Sequence, residues 1–208
     1  MKTMTNDDFR SATGVSRETL ARLETYADLL VKWQARINLV GPATIPDLWR
    51  RHMLDSAQLF PHIPRSARIL VDLGSGAGFP GLVLAAMGVP EVHLVDSDVR
   101  KCAFLREAAR VMGLSVTVHA KRISEAPAVP ADVVTARALA PLADLLDLAE
   151  KFLRPHTMCL FLKGRTADEE LTAAAKDWTM QLNRTASTTD PAAAILELTG
   201  VRRAGAQA

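Results

Sequence analysis

From Val71 to Gly81 the chain reads Val-Asp-Leu-Gly-Ser-Gly-Ala-Gly-Phe-Pro-Gly, with glycines at 74, 76, 78 and 81. Glycine lets a backbone turn sharply and approach a ligand where a Cβ would collide. Gly74, Gly76 and Gly78 therefore suit a turn that leaves a strand, enters a helix and cradles a nucleotide-like cofactor. Helix-to-strand packing alone would not require four glycines in eight residues. Asp96 stands 22 residues beyond Gly74, at the end of the next apolar run. A carboxylate there can accept two hydrogen bonds from a ribose diol. Turn and carboxylate together predict a ligand that carries adenosine.

Two cofactors satisfy that description. Gly76-Ala-Gly-Phe-Pro-Gly81 matches the G-x-G-x-x-G pattern of dinucleotide enzymes, which leaves an NAD-dependent oxidoreductase open. Three features favour S-adenosylmethionine: the G-x-G-x-G run from Gly74, the acidic Asp72 before it, and a chain of 208 residues with no second domain to present a hydride acceptor. A module that keeps the fold and binds RNA without catalysis is the remaining alternative.

The end of the expected fourth strand narrows the acceptor. Enzymes that methylate exocyclic amines carry an Asn/Asp-Pro-Pro-aromatic motif there, and this chain has Val134-Thr-Ala-Arg-Ala-Leu139. Carbon methylation of pyrimidines needs a cysteine nucleophile. Cys102 falls on an expected helix and Cys159 within an expected strand, so neither is placed to attack. A guanine N7 differs because its lone pair is free at neutral pH and needs no general base. Catalysis then rests on placing N7 in line with the methyl–sulfur bond, and positioning alone supplies several kcal/mol of a barrier. No catalytic acid or base is expected. Arg137 is the expected positioning residue, holding a methionine carboxylate or a guanine O6 from a strand end that faces the crevice.

These residues need a scaffold. From Arg68 onward, short aliphatic runs alternate with helical patterns, the signature of βαβ units building a parallel sheet. The expected strands are Ile69–Leu73, Val92–Val95, Val116–His119, Asp132–Thr135 and Met158–Leu162, with helices over 79–87, 98–112 and 141–153. Gly88 and Gly113 suit left-handed helix ends, and Pro141 suits a first helical turn. Ala167–Trp178 reads as helical and Ala193–Leu198 as extended. Before the sheet, Leu20, Leu23, Ala27, Leu30 and Ile37 recur at helical spacing behind a Ser16 N-cap. A second helical stretch is expected over Pro46–Phe60. The division that follows is an N-terminal helical cap, 1–66, and a single compact cofactor-binding unit, 67–208.

Further motifs complete the picture: Asn38-Leu-Val40, Trp49-Arg-Arg-His52-x-x-Asp55-Ser56, Arg122-Ile-Ser-Glu125, Thr135-Ala-Arg137-Ala and Leu162-Lys-Gly164. With the glycine run they resemble the family of ribosomal small-subunit methyltransferase G, also called glucose-inhibited division protein B, over nearly the whole chain. The resemblance implies a class I S-adenosylmethionine-dependent methyltransferase fold: α/β, Rossmann-like, with a mostly parallel sheet, helices on both faces and an N-terminal helical extension. It implies methylation of a guanine N7 in the decoding-region stem-loop of 16S rRNA, with 16S rRNA or the small ribosomal subunit as partner. Its cofactor residues carry over onto Gly74, Phe79, Ile123, Ser124 and Arg137. Asp96 stands where many members have glutamate, which shortens the reach to the ribose and leaves the chemistry unchanged.

Candidate RNA contacts are Arg51 and His52 from the helical cap, Arg122 beside the cofactor loop, and Lys163 at the end of the fifth strand. His52 and Asp55, at helical spacing, could equally form a local pair, and Arg122 could merely flank the loop. A formal net charge of +2 permits a polyanionic partner without demanding one. Hydrophobic residues at 49% and charged residues at 23% exclude a largely disordered chain. Two isolated cysteines in apolar surroundings read as reduced thiols, with no metal site. No signal-like or membrane-spanning apolar run is present. A cytoplasmic setting is expected, with a monomer favoured.

Overall fold

The computed structural model describes residues 3–205; Met1, Lys2 and residues 206–208, the outer ends of both expected units, lie outside the described residues. The chain opens with α1 (Asn6–Thr13), capped by the Thr5 hydroxyl and closed by Gly14. It continues into α2 (Arg17–Gln34), where Ser16 accepts from the Thr19 N–H at 3.1 Å as its N-cap. α2 buries Leu20, Leu23, Tyr26, Ala27 and Leu30 along one stripe. Each fully buried leucine on it contributes roughly 2 kcal/mol of apolar transfer.

The expected helix over Pro46–Phe60 is instead a chain of short turns. A 3-10 segment (Pro42–Asp47) leads into a π turn (Trp49–Leu54), then one turn of α-helix, α3 (Asp55–Ala57), and a further 3-10 turn (Phe60–His62). Pro42, Pro46 and Pro61 each lack the N–H that a continuous helix would use. The π turn is a rare geometry that tends to accompany functional sites.

The sheet then builds as β1 (Ile69–Leu73), α4 (Gly81–Met87), β2 (Glu91–Asp96), α5 (Val99–Met112), β3 (Val116–Ala120), β4 (Val133–Arg137), α6 (Leu142–Ala149), β5 (Met158–Lys163), α7 (Ala167–Ala174), β6 (Trp178–Ala186) and β7 (Ala194–Arg203). Strand order is β3-β2-β1-β4-β5-β7-β6. β3 through β5 run parallel, while β7 pairs antiparallel with both β5 and β6. A doubly wound dinucleotide fold has order 3-2-1-4-5-6; here a reversed strand is inserted ahead of the sixth. Gly88 and Gly113 close α4 and α5 in left-handed conformation, as expected. Pro141 stands one position earlier than expected, as the residue before α6.

Side chains alternate across the strands into two cores. Leu70, Val92, Leu94, Val133 and Leu160 pack with α2, α4 and α5 on one face. Val71, Leu73, Val134, Phe161 and Leu196 pack with α6 and Trp178 on the other. Burial on both faces explains why the parallel strands read as unbroken aliphatic runs. The N-terminal helices share the first core, so they form its outer layer.

Candidate active site

The turn after β1 is pinned from several directions. The Ser75 N–H donates to the Val95 carbonyl at 3.1 Å, and the Gly76 N–H donates to Asp96 Oδ2 at 2.8 Å. Asp72, fully buried, accepts from the Thr135 hydroxyl at 2.8 Å and from the Gly81 N–H at 3.3 Å. Burial pushes its carboxyl up to about 6, against the lowering effect of those donors and of Arg137. From behind, the hydroxyl of Tyr26 on α2 donates to the carbonyl of Ala77. Its ring lies 5.3 Å from that of Phe79. Burial raises the Tyr26 phenol well above its ordinary value, which keeps it a donor.

The glycines divide by role. A Cβ at Gly76, φ +55°, would meet nothing nearer than 3.8 Å, so this residue leaves open space in the cleft. A Cβ at Gly74 would lie 2.6 Å from Leu139, and one at Gly78 would strike Leu82 at 2.5 Å and the Tyr26 hydroxyl at 3.0 Å. Gly78 is absent from the cleft lining and packs toward the core. Gly81 is a packing residue too, since a Cβ there would sit 2.3 Å from Leu94.

A cleft of about 730 Å³ opens beside the turn, along the C-terminal ends of β1, β4 and β5. Arg137 projects into it from β4. Its Nη1 donates to the Arg51 carbonyl and to Asp55 Oδ2, both at 3.2 Å, and its Nη2 donates to His52 Nδ1 at 2.9 Å. A guanidinium only donates, so His52 Nδ1 is the acceptor and Nε2 carries the hydrogen. That Nε2 meets the Thr44 hydroxyl at 2.7 Å, which in turn donates to the Gly41 carbonyl. Burial, then Arg137 and Arg51, lower the His52 imidazole to about 3. His52 and Asp55 therefore do not pair with each other; both hold Arg137, and His52 stacks on Phe79 at 5.0 Å. The π turn supplies two of the three groups that grip Arg137, and Asp55, the first residue of α3, supplies the third.

The remaining expected residues are spread more widely. Asp96 lies at the end of β2 with one oxygen on Gly76 and the other accepting the Asp98 N–H at 2.8 Å. Each oxygen keeps a second lone pair for a ligand. Ile123 and Ser124 form the 3-10 turn after β3, whose carbonyls receive the Lys151 ammonium at 3.2 and 2.9 Å. Neither lines the main cleft. Arg122 is exposed at the start of that turn, and Arg51 is exposed at the cleft rim. Lys163 is placed differently from a surface phosphate contact: 8% exposed, it pairs with Glu170 at 2.7 Å and donates to the Ala140 carbonyl.

Sequence reasoning missed Tyr26, Thr189 and Asp190. Tyr26 sits between Leu23 and Leu30 on the apolar stripe of α2, and a buried phenol needs a partner; that signal was present. The loop between β6 and β7 carries Thr189 and Asp190 to the cleft, with the Thr189 hydroxyl donating to Asp55. No local sequence signal announces that approach.

The residues fit an adenosine-bearing methyl donor: a cleft of drug-like size, a glycine without obstruction at its edge, and a carboxylate one strand away. Solved structures share the fold. A ribosomal protein L11 methylase from Lactobacillus delbrueckii subsp. bulgaricus superposes with a TM-score of 0.59 at 14% identity, covering 70% of this chain and 76% of that one. A TehB-like S-adenosylmethionine-dependent methyltransferase from Corynebacterium glutamicum gives 0.56 at 16% identity, covering 86% and 98%. The architecture is thus the class I methyltransferase fold. In sequence, the chain is 64% identical to the ribosomal RNA small subunit methyltransferase G of Paramagnetospirillum magneticum over 97% of this chain and 98% of that protein. It is 60% identical to that of Rhodospirillum centenum over 96% and 93%. The model of the rRNA small subunit methyltransferase G family matches residues 19–196, and the chain belongs to that family.

Proposed function

We infer that the protein transfers a methyl group from S-adenosylmethionine to N7 of a guanine in 16S rRNA. The observation that carries this reading is the engagement of His52 by internal hydrogen bonds. Both His52 nitrogens are engaged, and its depressed basicity leaves it unable to take a proton near neutrality. A substrate atom with a free lone pair, such as N7, needs no such base. S-adenosylmethionine, when bound, would supply an electrophilic methyl carbon on a sulfonium, and the carbon–sulfur electron pair would return to sulfur as N7 takes the methyl group.

The chain's own residues do the positioning. Three of the five guanidinium N–H groups of Arg137 are engaged, leaving Nε–H and one Nη2–H for a carboxylate or a guanine O6. Gly74 and Gly76 admit the ligand to the backbone, Phe79 supports Arg137 from 5.1 Å below, and Asp96 accepts from the ribose. Ile123 and Ser124 border the adenine, while Arg51 and Arg122 meet RNA phosphates. Among the described residues no helix is long and apolar enough to cross a membrane and no cluster of ligands suits a metal. We place the enzyme in the cytoplasm with its substrate.

The test is incubation with labelled cofactor and small subunits lacking the modification, followed by mapping. Label at one guanine N7 is expected. Tight binding without transfer would favour a non-catalytic module, and preferential NADH binding would favour an oxidoreductase.

A further inference from the structure

Three carboxylates line the cleft: Asp55, Glu170 and Asp190. Asp55 is paired with Arg137 at 3.2 Å and Glu170 with Lys163 at 2.7 Å. Asp190 has no cation partner among the described residues. Its Oδ1 accepts the Ala192 N–H at 2.9 Å, and its Oδ2 accepts from no group among the described residues. The side chain is half-buried in a wall that is otherwise held firmly. Thr189 is fastened to Asp55, the Thr188 N–H donates to Gln58 Oε1 at 2.9 Å, and the Asp190 N–H reaches the Ser187 hydroxyl at 3.4 Å.

Position along the sheet decides what that oxygen can meet. Ala194 pairs with Lys163 at the C-terminal end of β5, so Asp190 stands beyond the sheet edge on the β7 side. β7 is two strands from β4, a gap of about 10 Å at ordinary strand spacing. A purine with N7 above β4, facing the methyl donor, holds its Watson–Crick edge at about a right angle to the N7 lone pair, and that edge can face β7. Guanine carries adjacent donors there, N1–H and the N2 amino group. Adenine offers an acceptor at N1.

We propose that Asp190 reads the Watson–Crick edge of the target guanine, accepting from N1–H and N2–H, and so selects guanine over adenine. The proposal rests on the guanine-N7 reading given above. It divides the base between two recognition groups, with Arg137 and the cofactor at the Hoogsteen edge and Asp190 at the adjoining Watson–Crick edge. A carboxylate left facing an acceptor would repel it, so the same group that favours guanine rejects adenine.

Asp190→Asn tests this, because asparagine keeps an oxygen for the Ala192 N–H and replaces the free acceptor with a donor. Substrates are small subunits reconstituted with unmethylated 16S rRNA carrying either guanosine or inosine, which lacks the N2 amino group, at the target. On guanosine, kcat/KM of Asp190→Asn is expected to fall roughly 10- to 100-fold, the scale of a lost charge-assisted hydrogen bond. Wild type should prefer guanosine to inosine by about tenfold or more, and the variant should lose most of that preference. Affinity for S-adenosylhomocysteine, measured by calorimetry, should match wild type. A kcat/KM within twofold of wild type overturns the proposal, as does a reduced rate with the guanosine preference intact or a weakened cofactor affinity. Wild type that fails to label guanosine subunits overturns the underlying reading instead.

Discussion

The hydroxyl of Tyr26 donates to the carbonyl of Ala77, a bond that spans 51 residues and fastens the glycine turn to α2. On the proposed cofactor site, the helix that carries Tyr26 supports the binding turn as well as the core. Tyr26→Phe keeps the ring contacts with Phe79 and Phe104. It leaves a buried carbonyl without a donor, a loss of about 1–3 kcal/mol. Affinity for S-adenosylhomocysteine is expected to fall about 5- to 10-fold while the KM for RNA holds. Calorimetry on the variant decides it, and unchanged affinity removes Tyr26 from that role.

Arg137 is gripped in three directions by planar chemistry that lysine lacks. Arg137→Lys is expected to lower kcat/KM by about 100-fold or more, on the scale of a misplaced reacting group. Asp55→Asn should act more mildly, since the His52 and Arg51 contacts remain. Steady-state kinetics compares them; a lysine variant with half the wild-type rate would end the positioning role.

Acid should weaken the fold through His52. Its imidazole ordinarily titrates near 6.5, and burial beside Arg137 and Arg51 lowers it to about 3. Below pH 6.5 the unfolded chain binds a proton that the folded site refuses. Stability is full above that pH and declines toward pH 3 by up to about 1.4 kcal/mol per unit. His119, lowered by burial and then by His93 and Lys121, acts in the same direction. Asp72, raised from 3.8 to about 6, opposes them between those values. Thermal melts from pH 7 to 5 should fall more steeply for wild type than for His52→Gln. Parallel slopes would show that His52 is not the group responsible.

Two alanine variants in one turn should fail differently. Gly81→Ala drives a Cβ to within 2.3 Å of Leu94 and 2.9 Å of Asp72, so it should cost about 1–3 kcal/mol of stability. Gly76→Ala meets open space but sits at φ +55° against the ligand, so it should cost about 1–2 kcal/mol and abolish most cofactor binding. Melting and calorimetry on both variants separate them. Equal cofactor affinities would mean that the cleft does not hold the ligand at Gly76.

The parallel strands were legible because helices bury both of their faces, which forces aliphatic runs such as Val92–Val95. β6 escaped notice because it is an edge strand whose Gln181, Asn183 and Arg184 face solvent. The π turn was hidden for a different reason. Its residues keep apolar spacing suited to an α-helix, and the wider turn is matched by partners on β4. The glycine turn could be read directly, since its chemistry is local. Lys163 could not: its partner Glu170 faces it only once α7 folds back over β5.

Gln58 accepts from the N–H of Thr188, and Asp55 from the hydroxyl of Thr189, closing loops of 130 and 134 residues. Order of synthesis then matters, because the early segment waits for the late one. A chain arrested before Thr188 would carry the glycine turn, Asp96 and Arg137 but lack the wall that completes the substrate side. Such a nascent chain would also lack β7, the strand that joins β6 to β5, so it is expected to leave subunits unmodified until the last strand is in place.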